Sequence, residues 1–363
     1  MSCCGSKHPP AMNHPAESTI PSLRQFSKLA GVSPATVSRV FADSPVVALA
    51  TRRRIRQLAQ SVGFRPSAVA NAAFGGKTRS VGVLLPVLDV SYFADIASGI
   101  QQRLLEDDYL PLLLEFLHGS TEEQTIHRLI DHRPDALILS IVNEALSRDD
   151  LLEVLRTRIP MVLLGPVHPN LATDTVDNDN VAGGRLAGQH LCELGHRRFG
   201  CCYFGAGNSA ADQRLAGFQQ ALMSCGGLLA PHHIIRLSPY DRAGVGMEKF
   251  EAELEQLLRS PQRPTAIFAA MDPLAAPVYR VARRLGLVIP RDLSIVGFAN
   301  LNYTDLIDPP LTTIDQNGRE VGKRAAEIVL NRLNNPDSVL QSVSVGVRLI
   351  QRQSTAPSPN LTG

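Results

Sequence analysis

The sequence contains no run of about eighteen apolar residues, the least a membrane-spanning helix requires. Its first thirty residues also lack the apolar stretch of a secretory signal. Both absences predict a soluble, cytoplasmic protein with no membrane partner. Among the six cysteines (Cys3, Cys4, Cys192, Cys201, Cys202 and Cys225) no two are spaced C-x-x-C, and no Cys/His quartet has zinc-finger spacing. The expectation is free thiols and no metal, with Cys3 and Cys4, near His8 and His14, read as incidental thiols. Catalytic signatures are missing too: there is no G-x-S-x-G, no H-E-x-x-H and no P-loop. His196 inside Gly-His-Arg-Arg and the His232–His233 pair read as turn residues, and neither an enzyme nor a cofactor is expected.

What is present is an uneven distribution of charge. The 363 residues carry a net charge of only +2, but residues 1–80 hold eleven Lys/Arg against Glu17 and Asp43. The head is therefore +9 and the remainder −7, the pattern of a polyanion-binding segment on an acidic body. At this length and with 44% hydrophobic residues, the chain is too long for one typical domain.

Residues 1–18 are rich in Pro, Ser, His and Asn without periodicity and read as a disordered tail. From Leu23 a helical stripe begins, with Leu23, Phe26, Leu29 and Ala30 on one face. Gly31 breaks it, and Ser33-Pro34 starts a second helix, because Ser accepts a free backbone N–H and Pro at the first position loses nothing. Within that helix Val37, Val40 and Phe41 face inward and Ala35, Ser38, Arg39 and Ala42 outward. A third helix is expected over 51–62, so that 19–65 forms one domain. A short Ala-rich segment follows Pro66 and is stopped by Gly75-Gly76. It is too short to hold as a helix alone, and 66–78 reads as a segment that folds against a partner.

From Ser80 on, strand-like runs (81–87, 110–116, 136–141, 161–164, 199–204, 234–237, 266–269 and 293–298) alternate with helical ones. This rhythm predicts an α/β body of doubly wound parallel sheets, large enough for two lobes, over 79–352. The last helix, near 319–333, leads to one further strand at 343–350. The polar, Pro-broken 353–363 reads as a disordered tail.

Two short helices joined by a tight Gly-containing turn and followed by a third form the helix-turn-helix pattern. The second helix would enter the major groove with its Ala35/Ser38/Arg39 face, where Arg39 can pair with guanine or phosphate.

The runs Leu29-Ala-Gly-Val-Ser-Pro-Ala-Thr-Val-Ser-Arg-Val40 and Gly63-Phe-Arg-Pro-Ser-Ala-Val-Ala70 closely resemble the head of LacI/GalR-family repressors. The resemblance extends through Val176-Asp-Asn-Asp-Asn-Val-Ala-Gly-Gly184, Gly195-His-Arg-Arg198, Arg214-Leu-Ala-Gly217, Ile289-Pro-Arg-Asp-Leu-Ser-Ile-Val-Gly-Phe298 and Leu311-Thr-Thr-Ile-Asp-Gln316. It implies a periplasmic-binding-protein-like body whose lobes are joined by three crossovers, near 174, 300 and 340. It also implies a homodimer reading a palindromic operator in double-stranded DNA, its affinity set by a sugar-like small-molecule effector. By motif, Pro34, Ala35 and Arg39 would meet base edges, and Ser33 and Thr36 phosphates. A hinge helix including Ser67, Ala70, Asn71, Ala73 and Phe74 would lie in the minor groove. The family places a wedging leucine where this sequence has Ala73, whose methyl cannot unstack a base step. The operator would then be kinked less, or Phe74 would supply the wedge.

The effector cleft departs from the family too. Positions that carry Asp and Asn in many sugar-responsive members are Ala299 and Met271 here. Asp272 remains and reads as a helix cap. Arg214 is the strongest expected ligand contact, joined by Tyr92, Phe93 and Asn208. A hydroxyl left unpaired in a closed cleft costs roughly 1–3 kcal/mol, so an unmodified hexose would be held weakly. Gly205-Ala-Gly-Asn-Ser-Ala210 matches a dinucleotide-binding fingerprint, but the next strand ends at Leu237-Ser238 without the required acid. It reads as a cleft-lining loop. The competing readings are a transport solute-binding protein, disfavoured by the basic head, and a nicotinamide-dependent oxidoreductase.

Overall fold

The computed structural model describes residues 21–41, 44–64, 77–115, 122–140, 157–165, 172–205, 209–237 and 245–359. The tail 1–18, the hinge residues Ser67, Ala70, Asn71, Ala73 and Phe74, and the loop residue Asn208 lie outside them. Two compact units divide between Thr78 and Arg79.

The first unit holds α1 (Leu23–Ala30), α2 (Pro34–Phe41) and α3 (Leu49–Ser61). Local chemistry sets their ends. Ser22 and Gln25 form a reciprocal capping box on α1, and Gly31, at φ +65°, closes it in the left-handed conformation that glycine adopts without strain. Ser33 Oγ accepts the Thr36 N–H at 3.1 Å, capping α2. Phe26, Ala30, Val37, Val40, Ile55, Ala59 and Phe64 form the core, with the Phe26 and Phe64 rings stacked 4.0 Å apart. Two arginines brace the bundle: Arg54 Nη2 donates to Ala30 O and Arg52 Nη2 to Ser44 O. Leu29, expected on the buried face, is 61% exposed, because the packed stripe runs through Phe26 and Ala30 on the other side of it.

The second unit contains two six-stranded sheets. The first has the order β11-β5-β4-β3-β1-β2, with β1 (Ser80–Leu85), β2 (Leu110–Glu115), β3 (Ala136–Ser140), β4 (Met161–Leu164), β5 (Asp174–Asn178) and β11 (Ser342–Val345), all parallel. The second has the order β12-β10-β9-β8-β6-β7, with β6 (Phe199–Phe204), β7 (Ile234–Leu237), β8 (Ala266–Ala269), β9 (Ser294–Ala299), β10 (Thr312–Asp315) and β12 (Arg348–Ile350); only β12 is antiparallel. Strands β1, β6 and β9 are buried along their whole length, as strands covered on both faces must be. The helices are α4 (Ser91–Glu106), α5 (Glu122–Asp131), α6 (Asn180–Glu193), α7 (Ser209–Ser224), α8 (Val245–Arg259), α9 (Ala275–Arg284) and α10 (Gly318–Asn334).

The chain crosses between lobes three times, but not where the sequence suggested. The crossings fall between β5 and α6 near 179, between β10 and α10 near 316–317, and at 346–347, rather than near 174, 300 and 340. The single strand expected over 343–350 is thereby divided into β11 in one sheet and β12 in the other. The expectation of a disordered tail from 353 also fails. Ser354 is fully buried: its Oγ accepts from Thr312 N and donates to Ile295 O, while its own carbonyl accepts from Ile295 N. Further along, Ser358 N donates to Leu194 O. The tail is polar because it supplies partners for backbone groups beside β9 and β10.

Within the second lobe α6 and α7 run parallel in close contact, and glycine makes this possible. A Cβ on Gly217 would lie 1.9 Å from Val181 O, and one on Gly184 1.9 Å from Arg214 O. Paired positions recur at nearly constant spacing, from Asn180 with Arg214 to Cys192 with Cys225. Those last two, 6.1 Å apart at Cα, are joined as a disulfide. This corrects the expectation of free thiols throughout, and the cause is the helix register, which sequence spacing does not reveal. Cys201 and Cys202 remain free and buried, and burial pushes both thiols up.

Candidate nucleic-acid interface and effector cleft

In the first unit the faces of α2 are clearly divided. Val37 and Val40 pack inward; Ser33 and Arg39 are exposed; Pro34, Ala35 and Thr36 are half-buried. Ser33 Oγ and Thr36 Oγ1 lie 2.9 Å apart at the N-terminus of the helix, where backbone N–H groups face outward. Ser38 does not belong to this face. It is 2% exposed, and its Oγ is buried with no hydrogen-bond partner among the described residues. One turn from both Pro34 and Phe41, it faces the bundle rather than the groove-facing surface that the sequence suggested. Arg53 and Arg56 on α3 and Lys28 on α1 add exposed positive charge that no motif singled out.

In the second unit the polar groups of the cleft gather where the chain crosses between lobes. From the first lobe Tyr92 Oη, near the start of α4, donates to Asn178 Oδ1 at 2.5 Å. Asn178 in turn donates to Gln316 O, and Gln316 Nε2 returns a bond to Asn178 Oδ1 at 3.2 Å. Tyr92 and Phe93 meet edge to face at 5.2 Å, and both pack against the first-lobe core. On the second lobe Arg214, 7% exposed, donates Nε to Asn180 Oδ1 at 2.9 Å and Nη1 to Ala270 O at 2.8 Å. Its guanidinium lies 4.0 Å over the Phe298 ring. Burial pulls its pKa down to about 10, although the neighbouring Tyr92, Asp177 and Asp272 act in the opposite direction. A direct bond bridges the lobes, as Asn302 N donates to Ser91 Oγ at 3.1 Å.

Asp272, whose expected role was to cap the following helix, does something different. It is fully buried; Oδ1 accepts from Thr313 Oγ1 at 2.6 Å and Oδ2 from Leu301 N at 2.9 Å. No side-chain cap bond starts the helical turn that it begins. Asp272 holds the chain as it leaves β9, where Ala299, the last residue of the strand, sits at φ +129° and Asn300 at φ +52°, conformations that cost a non-glycine residue energy. Arg352 Nη2 secures the same segment through Asn300 Oδ1. Met271 precedes this site in extended backbone, half-buried and packed against the second-lobe core.

Four polar residues of the cleft were not singled out by sequence: Asp177, Asn178, Asn180 and Gln316. Asp177 Oδ1 accepts from Asn178 N at 2.7 Å, and Oδ2 from Asn180 Nδ2 at 3.2 Å. Burial pushes its carboxyl up to about 6.

Two family descriptions match the chain: "Bacterial regulatory proteins, lacI family" over residues 22–67, and "Periplasmic binding protein-like domain" over 189–355. The HTH-type transcriptional repressor CytR of Escherichia coli K12 is 33% identical over 347 residues, covering 94% of this chain and 98% of the relative. Among solved structures, a LacI family transcriptional regulator from Enterococcus faecium with bound ribose is 29% identical, with a TM-score of 0.65, over 77% of this chain and 99% of that one. The lac repressor dimer bound to operator, at 24% identity and a TM-score of 0.75, shares the fold over 92% of this chain and 99% of its own. A helix-turn-helix head followed by a two-lobed body, matched along nearly its whole length by such relatives, places this chain in the LacI family of bacterial regulatory proteins.

Proposed function

We propose that this protein is a cytoplasmic, ligand-responsive repressor that binds a palindromic operator as a homodimer. A sugar or sugar derivative in the inter-lobe cleft would adjust its affinity. The observation that carries the reading is the division of α2, with Val37 and Val40 buried and Arg39 exposed beside Ala35. A helix anchored on one side and basic on the other can enter the major groove and present arginine to guanine. The hinge residues Ser67, Ala70, Asn71, Ala73 and Phe74 would add minor-groove contacts, and Asn208 would line the cleft. A second copy is accommodated at the open edge of the first sheet, where Leu105, Leu110 and Leu113 are exposed beside β2.

Coupling runs both ways: a ligand that changes operator affinity has its own affinity changed by operator to the same extent. No catalysis, cofactor or metal enters this reading. It is tested by selecting duplexes bound by the full chain from a random pool. A palindromic consensus is expected; enrichment of nothing, or of an unrepeated site, would overturn it.

A further inference from the structure

An arginine in a partly dry cleft ordinarily attracts carboxylates and phosphates, because its planar donors match their oxygens. Arg214 is not alone. The Asn180 side chain touches it and Asp177 at once: Oδ1 accepts from Arg214 Nε at 2.9 Å, while Nδ2 donates to Asp177 Oδ2 at 3.2 Å. One amide thus holds a base and an acid side by side, and the charges of Asp177 and Arg214 act on one another. Asp177 and Asp272 are in opposite situations. Asp272 is fully buried and engaged by Thr313 and Leu301, while Ala299 and Met271 offer no acceptor from their side chains. Asp177 is partly exposed, and its two oxygens have one bond each, so lone pairs remain for a ligand. Among the described residues no Lys, Arg or His forms a direct ion pair with it, so its charge is not cancelled by contact.

We propose that Asp177 is a specificity-determining residue of the effector cleft, which together with Arg214 selects an uncharged, hydroxyl- or amide-bearing effector and rejects anionic ones. The inference rests on the cleft being the effector site. Arg214 accommodates an oxygen of the ligand and Asp177 accepts from its O–H or N–H. A phosphate or carboxylate drawn to Arg214 would lie against the Asp177 carboxylate, and such like-charge contact is how binding sites reject wrong partners. Burial of Asp177, which makes its charge expensive, fits a group retained for selection rather than for stability.

The test uses the full chain and inorganic phosphate as probe, read by calorimetry and thermal shift, with ribose and ribose 5-phosphate as a matched pair. The wild-type chain is expected to ignore phosphate and ribose 5-phosphate. Asp177→Asn is expected to bind phosphate at least tenfold more tightly than wild type, and the double substitution Asp177→Asn with Arg214→Met to lose that gain. Asp177→Ser should behave as Asp177→Asn, which separates charge removal from a local packing effect. Phosphate binding by wild type equal to that of Asp177→Asn, or tighter wild-type binding of ribose 5-phosphate than of ribose, would overturn the proposal. Affinity for selected operator DNA is measured in the same samples. If Asp177→Asn gains phosphate while operator affinity never responds to any cleft ligand, the selectivity stands and the effector-site reading fails.

Discussion

Asp272 lies beside Met271 at the edge of the cleft, where an acid could hold ligand, yet its bonds assign it to the architecture of the chain leaving β9. The perturbation that separates these roles is Asp272→Asn. As a carboxylate it accepts from two donors, Thr313 Oγ1 and Leu301 N. An amide can accept from only one and must turn its NH2 toward the other. The substitution therefore loses one charge-assisted bond and leaves a buried donor unpaired, together about 3 kcal/mol. Little relaxation is available, because the neighbouring strand is packed so closely that a Cβ on Gly297 would lie 2.2 Å from Asp272 Oδ1. Removing the charge works the other way: burial, which pushes the carboxyl up to about 6, makes its ionisation at neutral pH cost a similar amount, so the two effects nearly cancel in the melting temperature. The signature is local, and the assay is hydrogen exchange of the full chain at the Leu301 amide, which should lose protection in the variant. An Asn variant that keeps Leu301 protected would refute the reasoning.

Three further outcomes follow from the same geometry. Ser38→Ala removes a buried hydroxyl without a partner, so it should be neutral or stabilising by up to about 1 kcal/mol in denaturant titrations and leave operator affinity unchanged; a loss of DNA binding would return Ser38 to the interface. Gly217→Val should destabilise severely, about 3 kcal/mol or more, since its side chain would meet Val181 O; circular dichroism melts decide this. Asp177 and Asp272 both have carboxyl groups raised from 3.8 to about 6 in the folded chain, so the native state holds protons that the unfolded chain has released across that window. Stability should therefore fall as pH rises from about 4 to 6, by about 3 kcal/mol per group. Asp177→Asn should flatten part of that slope in urea titrations and raise stability at neutral pH.

Where signals were local, the sequence was readable. Ser33-Pro34, Gly31 and the apolar stripe through Phe26 and Ala30 each act within a turn of helix, and they located the head helices. The alternating strands and helices of the body were legible for the same reason. What escaped was set by distant partners. Nothing local in 342–350 marks that β11 pairs with β5 while β12 pairs with β10. Ser354 carries no apolar signature, because it contributes hydrogen bonds rather than buried carbon. Ser38 lay at the edge of the helical stripe, where a small polar residue fits either face. In Asp-Asn-Asp-Asn the second Asp caps α6 through Ala182 N, a local role that hid the cleft roles of Asp177, Asn178 and Asn180. The Cys192–Cys225 pairing depends on the register of two helices and could not be counted from spacing.

The most direct test of DNA reading by α2 is the affinity of the full chain for its selected duplex, by fluorescence anisotropy, with Arg39→Ala beside wild type. Arg39 is exposed and outside the bundle core, so the substitution should leave the fold unchanged. Loss of a base-pairing arginine is expected to weaken specific binding roughly 5- to 150-fold, with a smaller loss on scrambled duplex. Equal loss on both duplexes would reduce Arg39 to a phosphate contact, and no loss on either would contradict the account.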